Sequence, residues 1–256
     1  MRSSTLEDAL PDLPRDLYIT GKGGVGKSTI AQCIQEARGG NLYVMESRAA
    51  PPQAIVLSSQ QAMEDCAAKA MRSRRIARFV LRPKPIRRFL GVTPGLTELC
   101  RLLVVLEGDA PRTVDLPATG HAIDWLSGPP KLKELVRASR GADMIQNLLV
   151  QWRTPQLSGL IVVTTPEPLV VAETRLLLAA LERESPMAIA AVVINRGLTC
   201  SEETERTLES MSESGVAESQ RALARVQSTR EAVTEFQQYR TLVVGFDMEL
   251  AQMRAA

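Results

Sequence analysis

Nine residues, Gly21-Lys22-Gly23-Gly24-Val25-Gly26-Lys27-Ser28-Thr29, constrain this chain more than any other feature. They complete the frame G-x-x-x-x-G-K-[ST], which requires a strand before it and a helix after it to hold a phosphate. Both neighbours are legible: Leu17-Tyr18-Ile19-Thr20 is a short, largely apolar run, and Ser28 to Ala37 reads as a helix. Glycine at 23, 24 and 26 lets the backbone turn its N–H groups toward an anion with no Cβ in the way. The helix opening near Lys27 adds the positive end of its dipole. Gly23, Gly24, Val25, Gly26, Lys27, Ser28 and Thr29 are therefore the expected cradle for ATP. Lys27 is placed to neutralise the β- and γ-phosphates, and the Ser28 hydroxyl to ligate Mg2+. Lys22 is a second lysine that phosphate binding at a single site does not require.

A chain of 256 residues fits one large domain better than two small ones. Five β-rich runs alternate with helical stretches: 17–20, 42–45, 160–164, 189–194 and 241–244. The runs at 160–164 and 189–194 are almost wholly apolar, as strands covered on both faces require. Strand–helix alternation predicts an α/β fold, a doubly wound, mainly parallel sheet with right-handed crossovers. Gly39-Gly40 marks the end of the first helix, and a long helical stretch from about Ser201 to Tyr239 is interruptible at Gly215. Residues 58–106 are helical in character and break the rhythm, so they read as a helical insertion within a single domain spanning 1–256.

Balanced charge, 31 basic against 29 acidic residues, gives no global attraction to nucleic acid, and no specific nucleic-acid partner is expected. No run reaches the length of a membrane-spanning helix and the polar N-terminus lacks a signal-peptide pattern, so a cytoplasmic location is expected. Cys33, Cys66, Cys100 and Cys200 are scattered without a C-x-x-C, which indicates neither a zinc clasp nor a disulfide framework. Within the insertion, Lys69 to Arg88 holds nine basic residues and no acidic one, interleaved with Met71, Ile76, Phe79, Val80, Leu81 and Ile86. Such a segment suits an anionic membrane, a partner helix or protein client, or simply a solvated helix face.

Several segments resemble the ArsA-like ATPases, the family of the arsenite-pump and tail-anchored-protein-targeting ATPases. K-G-G-x-G-K-[ST] resembles the signature-lysine loop of the wider MinD/ParA/ArsA group. Asp115-Leu116-Pro117-Ala118-Thr119-Gly120-His121, just before a helix-like run from Ala122 to Leu126, is similar to the family's D-x-P-x-T-G-H. Thr164-Thr165-Pro166-Glu167 with Glu173-Thr174 looks like its T-x-P-E…E-T, and Val193-Ile194-Asn195-Arg196 like its V-V-N-[RQ]. Pro94-Gly95-Leu96-Thr97-Glu98-Leu99 also resembles a helix-start segment of the family.

The resemblance implies a Mg2+-dependent ATPase working as a nucleotide-sandwich dimer, homotypic or with a paralogous ATPase. Lys22 would reach the nucleotide of the partner protomer, Asp115 would hold the metal directly or through water, Thr119 and Gly120 would sense the γ-phosphate, and Asn195 would read adenine. The family's D-P-A after the second strand is absent; Glu46, in Met45-Glu46-Ser47-Arg48, falls where its water-orienting aspartate stands. The residues before Asp115 make a weak central strand, and a proline-rich adenine loop is missing after Val244. A catalytically weak subunit of a heterodimeric ATPase, or a MinD/ParA-like positioning ATPase, are the alternative readings.

Overall fold

Apolar runs without alternation need cover on both faces, and the chain supplies it with helices on both sides of one parallel sheet. The computed structural model describes residues 9–45, 50–86, 88, 93, 95–135 and 140–248. Seven strands form the sheet: β1 (Asp16–Gly21), β2 (Asn41–Val44), β3 (Ile55–Val56), β4 (Arg112–Asp115), β5 (Ser158–Thr164), β6 (Ile189–Cys200) and β7 (Thr241–Met248). Their spatial order is β3-β2-β4-β1-β5-β6-β7, and every neighbouring pair is parallel. The chain moves outward from β1 to β2 and β3, returns to insert β4 beside β1, and then crosses to β5. Strand order thus reverses around β1, and the crevice at the carboxyl ends of such strands is where α/β sheets bind ligands.

The helices are α1 (Lys27–Arg38), α2 (Ser59–Met71), α3 (Arg74–Leu81), α4 (Leu96–Val105), α5 (Thr119–Leu135), α6 (Arg140–Trp152), α7 (Pro168–Glu184), α8 (Glu202–Glu213) and α9 (Ala217–Glu235). One apolar cluster joins the sheet to α4, α5, α6 and α7 through Tyr18, Leu102, Leu126, Leu148, Trp152 and Leu178. Tyr18 and Trp152 meet edge to face with ring centroids 5.6 Å apart. A second cluster lies across the sheet, where Ile30 and Ile34 of α1 pack on Leu17, Ile19, Ile161 and Val193. Helices α2, α3 and α4 occupy the chain between β3 and β4, inside the stretch read as an insertion. Among the described residues no helix is long and apolar enough to cross a membrane.

Three differences from the sequence reading have physical reasons. Strand β4, which looked too polar for a central position, is fully buried because Arg112 is paired with Asp16 of β1 (Nη1–Oδ2 2.5 Å). Arg112 also donates to the carbonyls of Leu106 (2.9 Å) and Gly108, and its backbone N–H to Asp16 Oδ1 (3.2 Å). Strands β6 and β7 continue past Ile194 and Val244 to Cys200 and Met248. Their register shifts between Asn195 and Gly197, a bulge at which a Cβ on Gly245 would lie 1.9 Å from the Gly197 carbonyl oxygen. Helix α5 runs on beyond Leu126, through Pro129 and Pro130, to Leu135. The break at Gly215 is present: its φ of +85° separates α8 from α9.

Candidate nucleotide site

The Gly21–Thr29 loop leaves the carboxyl end of β1, between β4 and β5, and passes directly into α1. A Cβ on Gly21 would stand 2.2 Å from the Val163 carbonyl oxygen of β5, so the loop can leave the sheet here only as glycine. Val25 is buried in the core cluster under α1 and anchors the middle of the loop. Gly26, at φ +91°, is the residue before α1 and supplies no side-chain cap. The first N–H groups of α1 have no intrahelical carbonyl to bond, since Ile30 is the first to reach back, to Gly26 at 3.0 Å. Gly23 and Gly24 face open space: a Cβ at either would meet nothing within 4 Å. The result is an open loop edged by backbone donors, a helix N-terminus and Lys27, whose Nζ also donates to the Lys22 carbonyl at 3.1 Å.

Ser28 is the second residue of α1, and its hydroxyl donates to Asp115 Oδ2 at 2.5 Å. Asp115 ends β4, held between its neighbours by register with Ile19 of β1 and Val44 of β2. The backbone on either side is fixed too: Leu116 N–H donates to the Ile19 carbonyl (2.9 Å) and Met45 N–H to the Asp115 carbonyl (3.2 Å). A hydroxyl and a carboxylate oxygen are the hard donors that Mg2+ prefers, and it ordinarily completes its octahedron with water and substrate phosphates. The pair therefore fits this metal. Among the described residues no cluster of three or more His, Cys, Asp or Glu offers a site to a metal needing an all-protein cage.

Thr119 and Gly120 open α5 at the same end of the sheet, three residues beyond Leu116, with Gly120 and His121 exposed. The Thr20 hydroxyl donates to the Pro117 carbonyl (3.5 Å), tying this loop to the end of β1. Glu46 follows β2 but lies outside the described residues, as do Ser47 to Ala49.

Lys22 does not stand free in solvent: its Nζ is paired with the carboxylate of Glu173 on α7 of the same chain. The next residue, Thr174, is buried and donates to the Thr164 hydroxyl at the end of β5 (2.9 Å), which fixes α7 against the sheet. Asn195 is also committed within the chain. Its Nδ2 donates to the Val25 carbonyl (2.8 Å) and its Oδ1 accepts the Arg196 N–H (2.9 Å). A Cβ on Gly26 would lie 2.3 Å from that Nδ2, so the last glycine of the loop is needed for Asn195 to brace it. The expected adenine reader is thus, in this arrangement, a strut for the phosphate loop. Arg196 adopts φ +59° at the bulge, and Arg225 of α9 holds its carbonyl with Nε (3.0 Å) and Nη2 (2.7 Å).

Arg101 is the residue that sequence reasoning missed. From α4 it donates to the Met45 carbonyl (3.0 Å), directly before Glu46, and to the Ser59 hydroxyl at the start of α2 (2.5 Å). Its guanidinium also lies 5.8 Å from the centroid of the Trp125 ring on α5. Burial pulls its pKa below the ordinary arginine value, with Glu98 opposing. One side chain therefore joins the helical insertion to the end of β2 and to the body of the helix that begins at Thr119. No local motif announces such a residue, because its partners lie 56 and 42 positions away.

No protein family and no curated protein matches this chain.

Proposed function

We propose that the chain is an ArsA-like Mg2+-dependent ATPase whose working form is a nucleotide-sandwich dimer. The observation carrying this reading is the Ser28–Asp115 contact at the mouth of the glycine-rich loop. It brings the hydroxyl expected from the loop and the carboxylate expected from a neighbouring strand to one point, beside the N-termini of α1 and α5. Loop N–H groups from Gly23 to Thr29 receive the β- and γ-phosphate oxygens, and Lys27 neutralises their charge. Ser28 and Asp115 would hold Mg2+, which when bound draws charge from the phosphate oxygens. The N–H groups at Thr119 and Gly120 sense the γ-phosphate, and its loss is passed to α5. Glu46, the carboxylate nearest to the end of β2 in sequence, orients the attacking water.

Dimerisation exchanges one lysine contact for another. In the single chain Lys22 is neutralised by Glu173; in the dimer it leaves that carboxylate for the phosphates bound to the partner protomer. Arg101 then links the end of β2 and Trp125 of α5 to α2, so that nucleotide state reaches the helical insertion and any protein client it holds. ATP turnover by the purified chain, compared with Lys27→Ala, tests the reading: turnover that Lys27→Ala abolishes is expected. A second reading rests on Glu46-Ser47-Arg48 standing in place of the family's D-P-A. It makes the chain a nucleotide-binding subunit whose turnover appears only with a paralogous partner. Nucleotide binding without turnover, restored by that partner, would favour it.

A further inference from the structure

The phosphate loop and its neighbours leave one conspicuous surface unused. Helix α3 is capped by Ser73, whose hydroxyl accepts the Ile76 N–H (3.3 Å), and it packs on α2 through Ala77 and Leu81. The opposite face carries Phe79 and Ile76, one turn apart, 75% and 53% exposed. Arg75 and Arg82 flank them on the same face, and Arg72, Arg78 and Lys84 are exposed around it. Met71 before the helix and Ile86 after it are exposed as well. Core packing does not explain a phenylalanine in this position, because the buried side of the helix is already occupied.

We propose that this face of α3, with its flanks from Met71 to Ile86, docks on an anionic phospholipid bilayer. Phe79 and Ile76 enter the acyl boundary, and the arginines on either side extend to the lipid phosphates while their stems cover apolar surface. Charge complementarity selects this occupant: residues 69–88 hold nine basic groups and no acidic one. Among the described residues only two ion pairs draw on that set, Lys69–Glu107 and Arg74–Asp65, and neither uses Arg75, Arg78 or Arg82. A second copy of the chain fits worse. Eight helical residues span only about 12 Å, and a twofold contact would set the same arginines against each other. Nucleic acid would use the charge and the ring of Phe79, but Ile76, Met71 and Ile86 offer no further flat ring on which successive bases could stack. The inference is independent of the nucleotide site.

Sedimentation of the full chain with vesicles tests it, using phosphatidylcholine alone and phosphatidylcholine with about one third phosphatidylserine. Partitioning onto the anionic vesicles is expected to be stronger by about fivefold for each arginine engaged, and to weaken as salt is raised. Arg75→Gln and Arg78→Gln together should lower it about 25-fold. Phe79→Ser should lower it about tenfold, since most of an aromatic side chain's apolar area is no longer buried in lipid. Because these side chains are exposed, the variants should keep the wild-type melting temperature, and Phe79→Trp should show a blue-shifted emission only with anionic vesicles. Equal sedimentation with both vesicle types, or with neither, would overturn the proposal. So would binding that Phe79→Ser leaves intact while duplex DNA competes for it, which would mark a nucleic-acid surface.

Discussion

Replacing Asp16 tests whether the register that brings Ser28 to Asp115 depends on a buried ion pair at the far ends of the same strands. Asp16 and Arg112 are 1% and 4% exposed and face each other at the start of β1 and β4. Asp16→Val leaves a buried guanidinium with only carbonyl partners, and removing one member of such a pair costs about 3–5 kcal/mol. Arg112→Met leaves a carboxylate with Arg15 Nε at 3.7 Å and the charge of Arg38 still acting on it, so its cost falls at the lower end of that range. For a domain of this size the unfolding entropy is about 0.5 kcal/mol per degree. Asp16→Val should therefore lower the melting temperature by about 6–9 °C. The double variant removes both charges together and should lie within about 2 kcal/mol of wild type. Urea unfolding of all four proteins closes the cycle, with an expected coupling of at least about 3 kcal/mol. Single variants costing under about 1 kcal/mol, or additive costs, would refute the reasoning.

Three further outcomes are expected. Glu173→Gln releases Lys22 from a pair worth at most about 1 kcal/mol at this exposure, so nucleotide-dependent dimerisation should tighten in sedimentation velocity by up to about fivefold for each Lys22 exchanged; no change, or a weaker dimer, counts against the exchange. Arg101→Ala should destabilise by about 2 kcal/mol through the lost bonds to Met45 and Ser59, and hydrogen exchange should rise at both the end of β2 and the start of α2, whereas a rise confined to α4 would show no linkage. Glu205 is held below the usual carboxylate range by its bidentate contact with Arg230, both bonds at 2.5 Å. The stability this pair adds is present above the unfolded glutamate pKa of about 4.3 and is lost as pH falls through the lower folded value. Glu205→Gln should remove that acid-side slope from the pH–stability curve of the α8–α9 pair; an unchanged slope would contradict it.

What the sequence made legible was the part governed by local chemistry. The apolar runs of β1, β5 and β6, the loop glycines and the break at Gly215 each carry their own signal within a few residues. Strand β4 did not, because Arg112 and Asp115 become acceptable in a sheet interior through distant partners that include Asp16 and Ser28, 96 and 87 positions away. Strand β3 has two exposed residues at the sheet edge and no periodicity to find. Asn195-Arg196-Gly197 looks like the end of a strand, yet it is a bulge within one, since a glycine pair lets two backbones approach too closely for a side chain. The same holds for the site: the loop motif singled out Ser28 and the family resemblance Asp115, whereas the contacts of Glu173, Asn195 and Arg101 are ones that only the folded chain creates.

Calorimetric titration with ATP and Mg2+ tests the central claim most directly, run on the wild-type chain, on Lys27→Ala and on Asp115→Asn. Saturable binding is predicted for the wild type, weakened at least about tenfold by Lys27→Ala through loss of a charge-assisted contact. Asp115→Asn should retain binding without Mg2+ and lose the enhancement that Mg2+ gives. A wild-type chain that takes up no nucleotide with Mg2+ present, or one whose affinity is indifferent to Lys27, would contradict the account.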